Sequence, residues 1–156
     1  MKEFGIIGYP LEHSHSPQYF QEKFEREKLA RHIYHSFPLK DLNEFPFLIK
    51  QHPFLYGLNV TSPYKEEIID YLHKIDPEAY AIGAVNVIQL EYRDHTTGLT
   101  GFNTDSPAFA SAIELTWGNK FGGALIFGNG GAAKAAAHAL KKMDIPYSIV
   151  SRKENT

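Results

Sequence analysis

The sequence predicts an α/β fold: a three-layer unit on a mainly parallel sheet, followed by the first part of a second, smaller α/β unit. Three observations carry this. Short apolar, partly β-branched runs at 4–7, 33–39 and 55–60 alternate with apolar residues at helical spacing. That alternation, with short loops, is the pattern of βαβ units whose sheet is covered on both faces. The loops that leave the first and third runs carry a hydroxyl followed by proline, at Ser16-Pro17 and Ser62-Pro63, which predicts helix starts there. Finally, Ala124 to Phe127 runs into a glycine-rich segment, an alanine-rich helix and a further strand at Tyr147 to Val150.

The 156 residues suffice for one good core, or for one small domain and part of another. With 43% hydrophobic residues, 22% charged and a formal net charge of −2, the chain is predicted to be globular and gives no electrostatic case for nucleic acid or an anionic membrane surface. The lack of cysteine excludes disulfides, thiolate metal sites and cysteine nucleophiles, and fits a reducing compartment. No long apolar stretch follows Met1-Lys2-Glu3-Phe4, so neither signal peptide nor transmembrane helix is expected and the cytoplasm is the default. The eight histidines show no ligand spacing, and no metal site is predicted.

In chain order, the first strand closes at Gly8-Tyr9-Pro10 and enters a loop dense in hydroxyls and histidines, His13-Ser14-His15-Ser16-Pro17. Ser14 and Ser16 could grip the carboxylate or hydroxyls of a small ligand, or Ser16 could only cap the following helix and Ser14 only turn the chain. After the second strand, Asp41 with Glu44 forms a capping-box pattern, and Pro46 predicts an irregular helix start. The third strand ends at Thr61-Ser62-Pro63. Ile68, Ile69, Leu72 and Ile75 then predict a helix with Lys65 in its first turn. A cation there is opposed by the helix N–H groups, which pushes the ammonium toward proton-transfer chemistry. A solvated lysine balanced by Glu66 and Glu67 is the other reading. Strand ends of this kind are where sites lie in parallel sheets.

Asp76-Pro77 reads as the end of that helix region. The run from Ile82 to Tyr92, a polar turn over 93–98, and Leu99 to Phe102 read as a hairpin. Asn86 inside this apolar run needs a hydrogen-bond partner, backbone or ligand. Asp105, in Asn103-Thr104-Asp105-Ser106-Pro107, either helps to cap the next helix or pairs with Lys65. Residues 117–123 read as a connection. The segment Gly128-Asn129-Gly130-Gly131-Ala132-Ala133 then has the context of a dinucleotide fingerprint, with a purely structural turn as its alternative. Ser151-Arg152-Lys153 supplies two cations where an acid would suit NAD, which favours the 2′-phosphate of NADP.

Five segments, taken together and in order, resemble the shikimate dehydrogenase (shikimate/quinate dehydrogenase) family. They are Gly8-Tyr9-Pro10 with His13 to Pro17, Gly57 to Lys65, Gly83-Ala84-Val85-Asn86, Gly101 to Asp105, and Gly128 to Ala132. The resemblance implies NADPH-dependent reduction of 3-dehydroshikimate to shikimate on the route to aromatic amino acids, with a Rossmann-type NADP-binding domain. It implies that Ser14, Ser16, Asn59, Thr61, Asn86 and Asp105 hold the substrate, and that Lys65 and Asp105 form the catalytic pair. It also implies that Gly128, Asn129, Gly130, Gly131, Ala132, Ser151, Arg152 and Lys153 meet the cofactor. Ser151-Arg152-Lys153 departs from the family's usual Asn-Arg-Thr.

The expected division is a substrate-binding and catalytic domain over 1–104, then a linking helix and incomplete nucleotide-binding domain over 105–156. The family continues for roughly another hundred residues. The chain is therefore expected to be an amino-terminal fragment, inactive alone and prone to self-association or homodimer formation. Quinate or dual quinate/shikimate dehydrogenation, and a non-catalytic substrate-binding module, are the competing functions.

Overall fold

The computed structural model describes residues 1–93, 96–118 and 122–152. The chain runs β1 (Lys2–Gly8), α1 (Ser16–Arg26), β2 (His32–Pro38), a 3₁₀ turn (Leu42–Glu44), α2 (Phe45–Gln51), β3 (Leu55–Val60) and a second 3₁₀ turn (Glu67–Tyr71). It continues through β4 (Lys74–Ile75), α3 (Pro77–Ile82), β5 (Val87–Arg93), β6 (Thr96–Phe102), α4 (Asp105–Trp117), β7 (Ala124–Phe127), α5 (Gly131–Lys142) and β8 (Tyr147–Val150).

The larger sheet has the order β2-β1-β3-β5-β6-β4. Pairs β1/β2, β1/β3 and β4/β6 are parallel, and β3/β5 and β5/β6 antiparallel, so the hairpin inserts one reversed strand, β5, into an otherwise parallel sheet. Because alternate side chains point to opposite faces, the two faces have separate cores. Ile6 and Tyr34 meet Phe24 of α1, while Ile7, Leu58 and Val60 join Phe45 and Leu48 of α2. Phe45 is 1% exposed, and truncating an aromatic so placed costs about 3–5 kcal/mol. The smaller sheet is the parallel pair β7/β8, with α5 between its strands. Ile113 of α4, Leu140 of α5 and Ile145 form its core, with Ala124 and Ile126 against them.

Several local expectations give way. No α-helix follows β3: Lys65 lies in an irregular turn before the 3₁₀ turn, and Ile75 sits in β4. The reason is competition for backbone groups, since the Lys65 carbonyl accepts from Val85 N (2.7 Å). The helix expected to place its own N-terminus at Lys65 is therefore not formed there. Ser16 is the first residue of α1 and not its cap. Asp76-Pro77 starts α3 instead of ending a helix, with Asp76 accepting from Glu78 N at 2.9 Å. Pro46 sits in the first turn of α2 behind the 3₁₀ turn, the irregular start its position predicts; Asp41 caps that turn by accepting from Asn43 N. The tip of the β5/β6 hairpin at 94–95 lies outside the described residues.

Candidate active site

The turn after β3 is fastened at two places by three hydrogen bonds. Thr61 N donates to Ile7 O (2.9 Å) and Tyr9 N to Ser62 O (3.1 Å), which ties the turn to the end of β1. Tyr64, buried beneath it, donates its hydroxyl to Leu39 O (2.7 Å). These bonds fix the backbone of Lys65, whose side chain is 16% exposed. Its Nζ donates to Asp105 Oδ2 at 2.6 Å.

Asp105 opens α4 but its carboxylate does not cap the helix. Asn103 does that instead: its Oδ1 accepts from Asp105 N and Ser106 N, both at 3.1 Å, and its Nδ2 donates to Ala84 O. Relieved of capping, Asp105 takes Lys65 on one oxygen and Asn86 Nδ2 (2.7 Å) on the other. Asn86 Oδ1 in turn accepts from Thr104 N at 2.8 Å. Lys65, Asp105, Asn86 and Thr104 thus form one network at the junction of β3, the lead into β5, and the exit of β6.

A second network joins two other predicted residues through one that sequence reasoning passed over. Tyr34 donates its hydroxyl to Asn59 Oδ1 at 2.6 Å and is also hydrogen-bonded to Ser16. Burial pushes the Tyr34 phenol well above its ordinary range, partly offset by the Ser16 bond. It therefore remains a donor throughout the neutral range. A tyrosine inside an apolar strand normally needs a polar partner, which was the available signal. For Asn103, the signal was an asparagine in the loop just before the predicted helix, a residue type favoured at helix starts.

A cleft of about 460 Å³ lies between the networks, lined by Phe20, Tyr34, Asn59, Val87 and Thr104 among others. Thr61 stands at its strand end against Gly8, where any Cβ would overlap Thr61 Cγ2. Ser14 is half-buried in the facing loop, its N–H held by Leu11 O. Among the described residues, neither network includes the side chain of Ser14 or Thr61.

The glycine segment forms a second cleft of about 640 Å³, lined by Gly128, Asn129, Gly130, Ser151 and Arg152. Gly128 has φ +108, which demands glycine, and its N–H is held by Val150 O. Gly130 precedes the first turn of α5, whose free N–H groups suit an anion, and Ala132 lies in that turn. Gly131 points elsewhere: a Cβ there would stand 2.7 Å from Lys65 Cβ and 3.3 Å from Ala84 Cβ. Lys153 lies outside the described residues. The described residues contain no group of three or more acidic, histidine or cysteine side chains able to hold a metal ion, and no helix long and apolar enough to cross a membrane.

The class this arrangement defines is an α/β sheet with a lysine–carboxylate pair at its strand ends, beside a strand–glycine–helix unit. Residues 6–88 match the family described as the shikimate dehydrogenase substrate binding domain, and the chain belongs to that family. It is 36% identical over 152 residues to a shikimate dehydrogenase (NADP(+)) of Anaeromyxobacter sp. strain K, covering 97% of this chain and 53% of that protein. A Syntrophomonas wolfei protein of the same name is 40% identical over 144 residues, covering 90% of this chain and 47% of that one. Among solved structures, shikimate dehydrogenase 1 of Peptoclostridium difficile superposes with a TM-score of 0.87 at 36% identity, over 99% of this chain and 57% of that one. Shikimate 5-dehydrogenase of Thermus thermophilus, in complex with NADP(H) and shikimate, does so with a TM-score of 0.81 at 33% identity, over 98% and 57%. The chain spans about half the length of the curated relatives it matches.

Proposed function

We propose that the whole protein carrying this chain reduces 3-dehydroshikimate to shikimate with NADPH in aromatic amino acid biosynthesis. In this reading residues 1–104 form the substrate-binding and catalytic domain. Residues 105–156 form a linking helix and the opening of the NADP-binding domain, in keeping with the packing of α4 on α5. The observation that carries the proposal is the bond from Lys65 Nζ to Asp105 Oδ2 at 2.6 Å, next to Thr104 on the edge of a mainly apolar and aromatic cleft that also takes in Tyr34 and Asn59. Relatives named as NADP(+)-dependent shikimate dehydrogenases, and a neighbour in complex with both ligands, support it.

The donor set at the glycine segment fits the cofactor. Asn129 to Gly131 and the first turn of α5 offer backbone N–H groups for the pyrophosphate, and Arg152 lines the cleft where a 2′-phosphate would sit. When bound, NADPH supplies a hydride to the ketone carbon. Lys65 donates a proton to the carbonyl oxygen as negative charge gathers there, and reclaims it in the reverse direction. Asp105 orients the ammonium, and Asn86 holds Asp105 by its other oxygen. Ser14, Ser16, Asn59 and Thr61 bind the ring carboxylate and hydroxyls, with Tyr34 fixing two of the four. A cytoplasmic setting and a homodimer belong to the same proposal. Steady-state rates of the whole protein on shikimate and quinate, each with NADP⁺ and NAD⁺, test it. The expected preference is shikimate with NADP⁺; equal or better turnover of quinate, or of either substrate with NAD⁺, would overturn it.

A further inference from the structure

The first turn of α5 also meets the proposed catalytic lysine, beside a pair of side chains, Glu66 and Lys134, that the dehydrogenase reading leaves unassigned. Gly131 lies against the Lys65 stem, close enough that its missing Cβ is what permits the contact. One turn later, Lys134 Nζ donates to Glu66 Oε2 at 2.5 Å. Two consecutive residues of the β3 turn, Lys65 and Glu66, are thus engaged by two residues three apart on one face of α5. A lysine this near a helix start is opposed by the free N–H groups, and the first turn of α5 has no acid of its own. Its placement is explained by Glu66, not by the helix. The same face continues at four-residue spacing. His138 Nε2 lies 3.4 Å and Lys142 Nζ 2.9 Å from Glu78 Oε1 on α3, and Ala135 packs with Ile82 and Ala84 between the two ion-pair sites.

We propose that Glu66 and Lys134 are a positioning pair that seats the glycine loop and α5 against Lys65, holding the two halves of the site in one register. This rests on the dehydrogenase reading only where turnover is concerned. Both partners are 40% exposed, so each contributes modestly, as exposed pairs do. The pair acts through Lys65 and touches no reacting atom.

The test compares Glu66→Gln, Lys134→Gln, the double variant and Lys134→Arg in the whole protein. Without cofactor, exchange of the hydrogen-bonded amides over 134–138 should quicken about two- to fivefold in either single glutamine variant, and no further in the double. Lys134→Arg should exchange like the wild type. With saturating NADP⁺ and shikimate, kcat should fall by the same factor while KM for shikimate holds. Unchanged exchange in the singles, or effects that multiply in the double, would overturn the pairing. So would weaker NADPH binding in Lys134→Gln alone, which would make Lys134 a phosphate contact. The exchange measurement needs neither substrate nor cofactor, so failure of the pairing is distinguishable from failure of the dehydrogenase reading.

Discussion

Lys65 Nζ stands 2.6 Å from Asp105 Oδ2, across 40 residues of chain. The lysine comes from the turn after β3 and the carboxylate from the first residue of α4. The turn is bound to the ends of β1 and β2, and Asn103 has taken over capping α4, so both side chains are free to meet.

Asn86 is the brace of this pair. Asn86→Ala removes the bonds to Asp105 Oδ1 and Thr104 N, and should lower stability by about 1 kcal/mol, water replacing part of the loss at the half-exposed Asp105. The larger effect should fall on kcat, up to about 10²-fold, because the pair loses its alignment. Denaturant unfolding and steady-state rates check both; a variant that loses stability but keeps kcat would show that Asn86 only holds the fold.

Tyr34 should titrate late. Its folded-state phenol is raised above the ordinary 10.0, so the unfolded chain ionises first. Its contribution to stability is therefore fully present below pH 10 and is lost as pH rises beyond it. Tyr64 and Tyr92 are shifted the same way, so the difference between wild type and Tyr34→Phe isolates the Tyr34 share. Denaturant unfolding above pH 10 should show a shallower decline in Tyr34→Phe; identical slopes would contradict the account. The variant should also raise KM for shikimate, since Ser16 and Asn59 lose their common partner.

Arg152 and Lys153 should set cofactor choice. Replacing both by alanine should weaken NADPH binding, with NADH binding nearly unchanged, because only the 2′-phosphate needs paired cations. Titration calorimetry with both nucleotides decides it, and equal losses for the two would locate these cations elsewhere than the 2′-phosphate.

The fold class was legible because apolar runs and helical spacing are local signals. The hydrogen bond between Lys65 and Asp105 was foreseeable only as one of two alternatives, since spacing does not say whether an aspartate caps or pairs. The misread helix at Lys65 has a non-local cause: Val85, twenty residues on, claims the carbonyl that a helix would use. Ser16 followed the grammar of a cap, yet its hydroxyl is drawn to Tyr34, a tertiary contact that local pattern does not encode. Asp76-Pro77 reads locally as a stop, although an aspartate–proline pair starts a helix as readily as it ends one.

The most direct measurement is shikimate oxidation with NADP⁺ by the whole protein and its Lys65→Ala variant, followed through NADPH formation. The account predicts turnover in the wild type and a loss of about 10²–10⁴-fold in kcat for the variant, with KM for shikimate changed far less. A Lys65→Ala protein with near-wild-type kcat would contradict it.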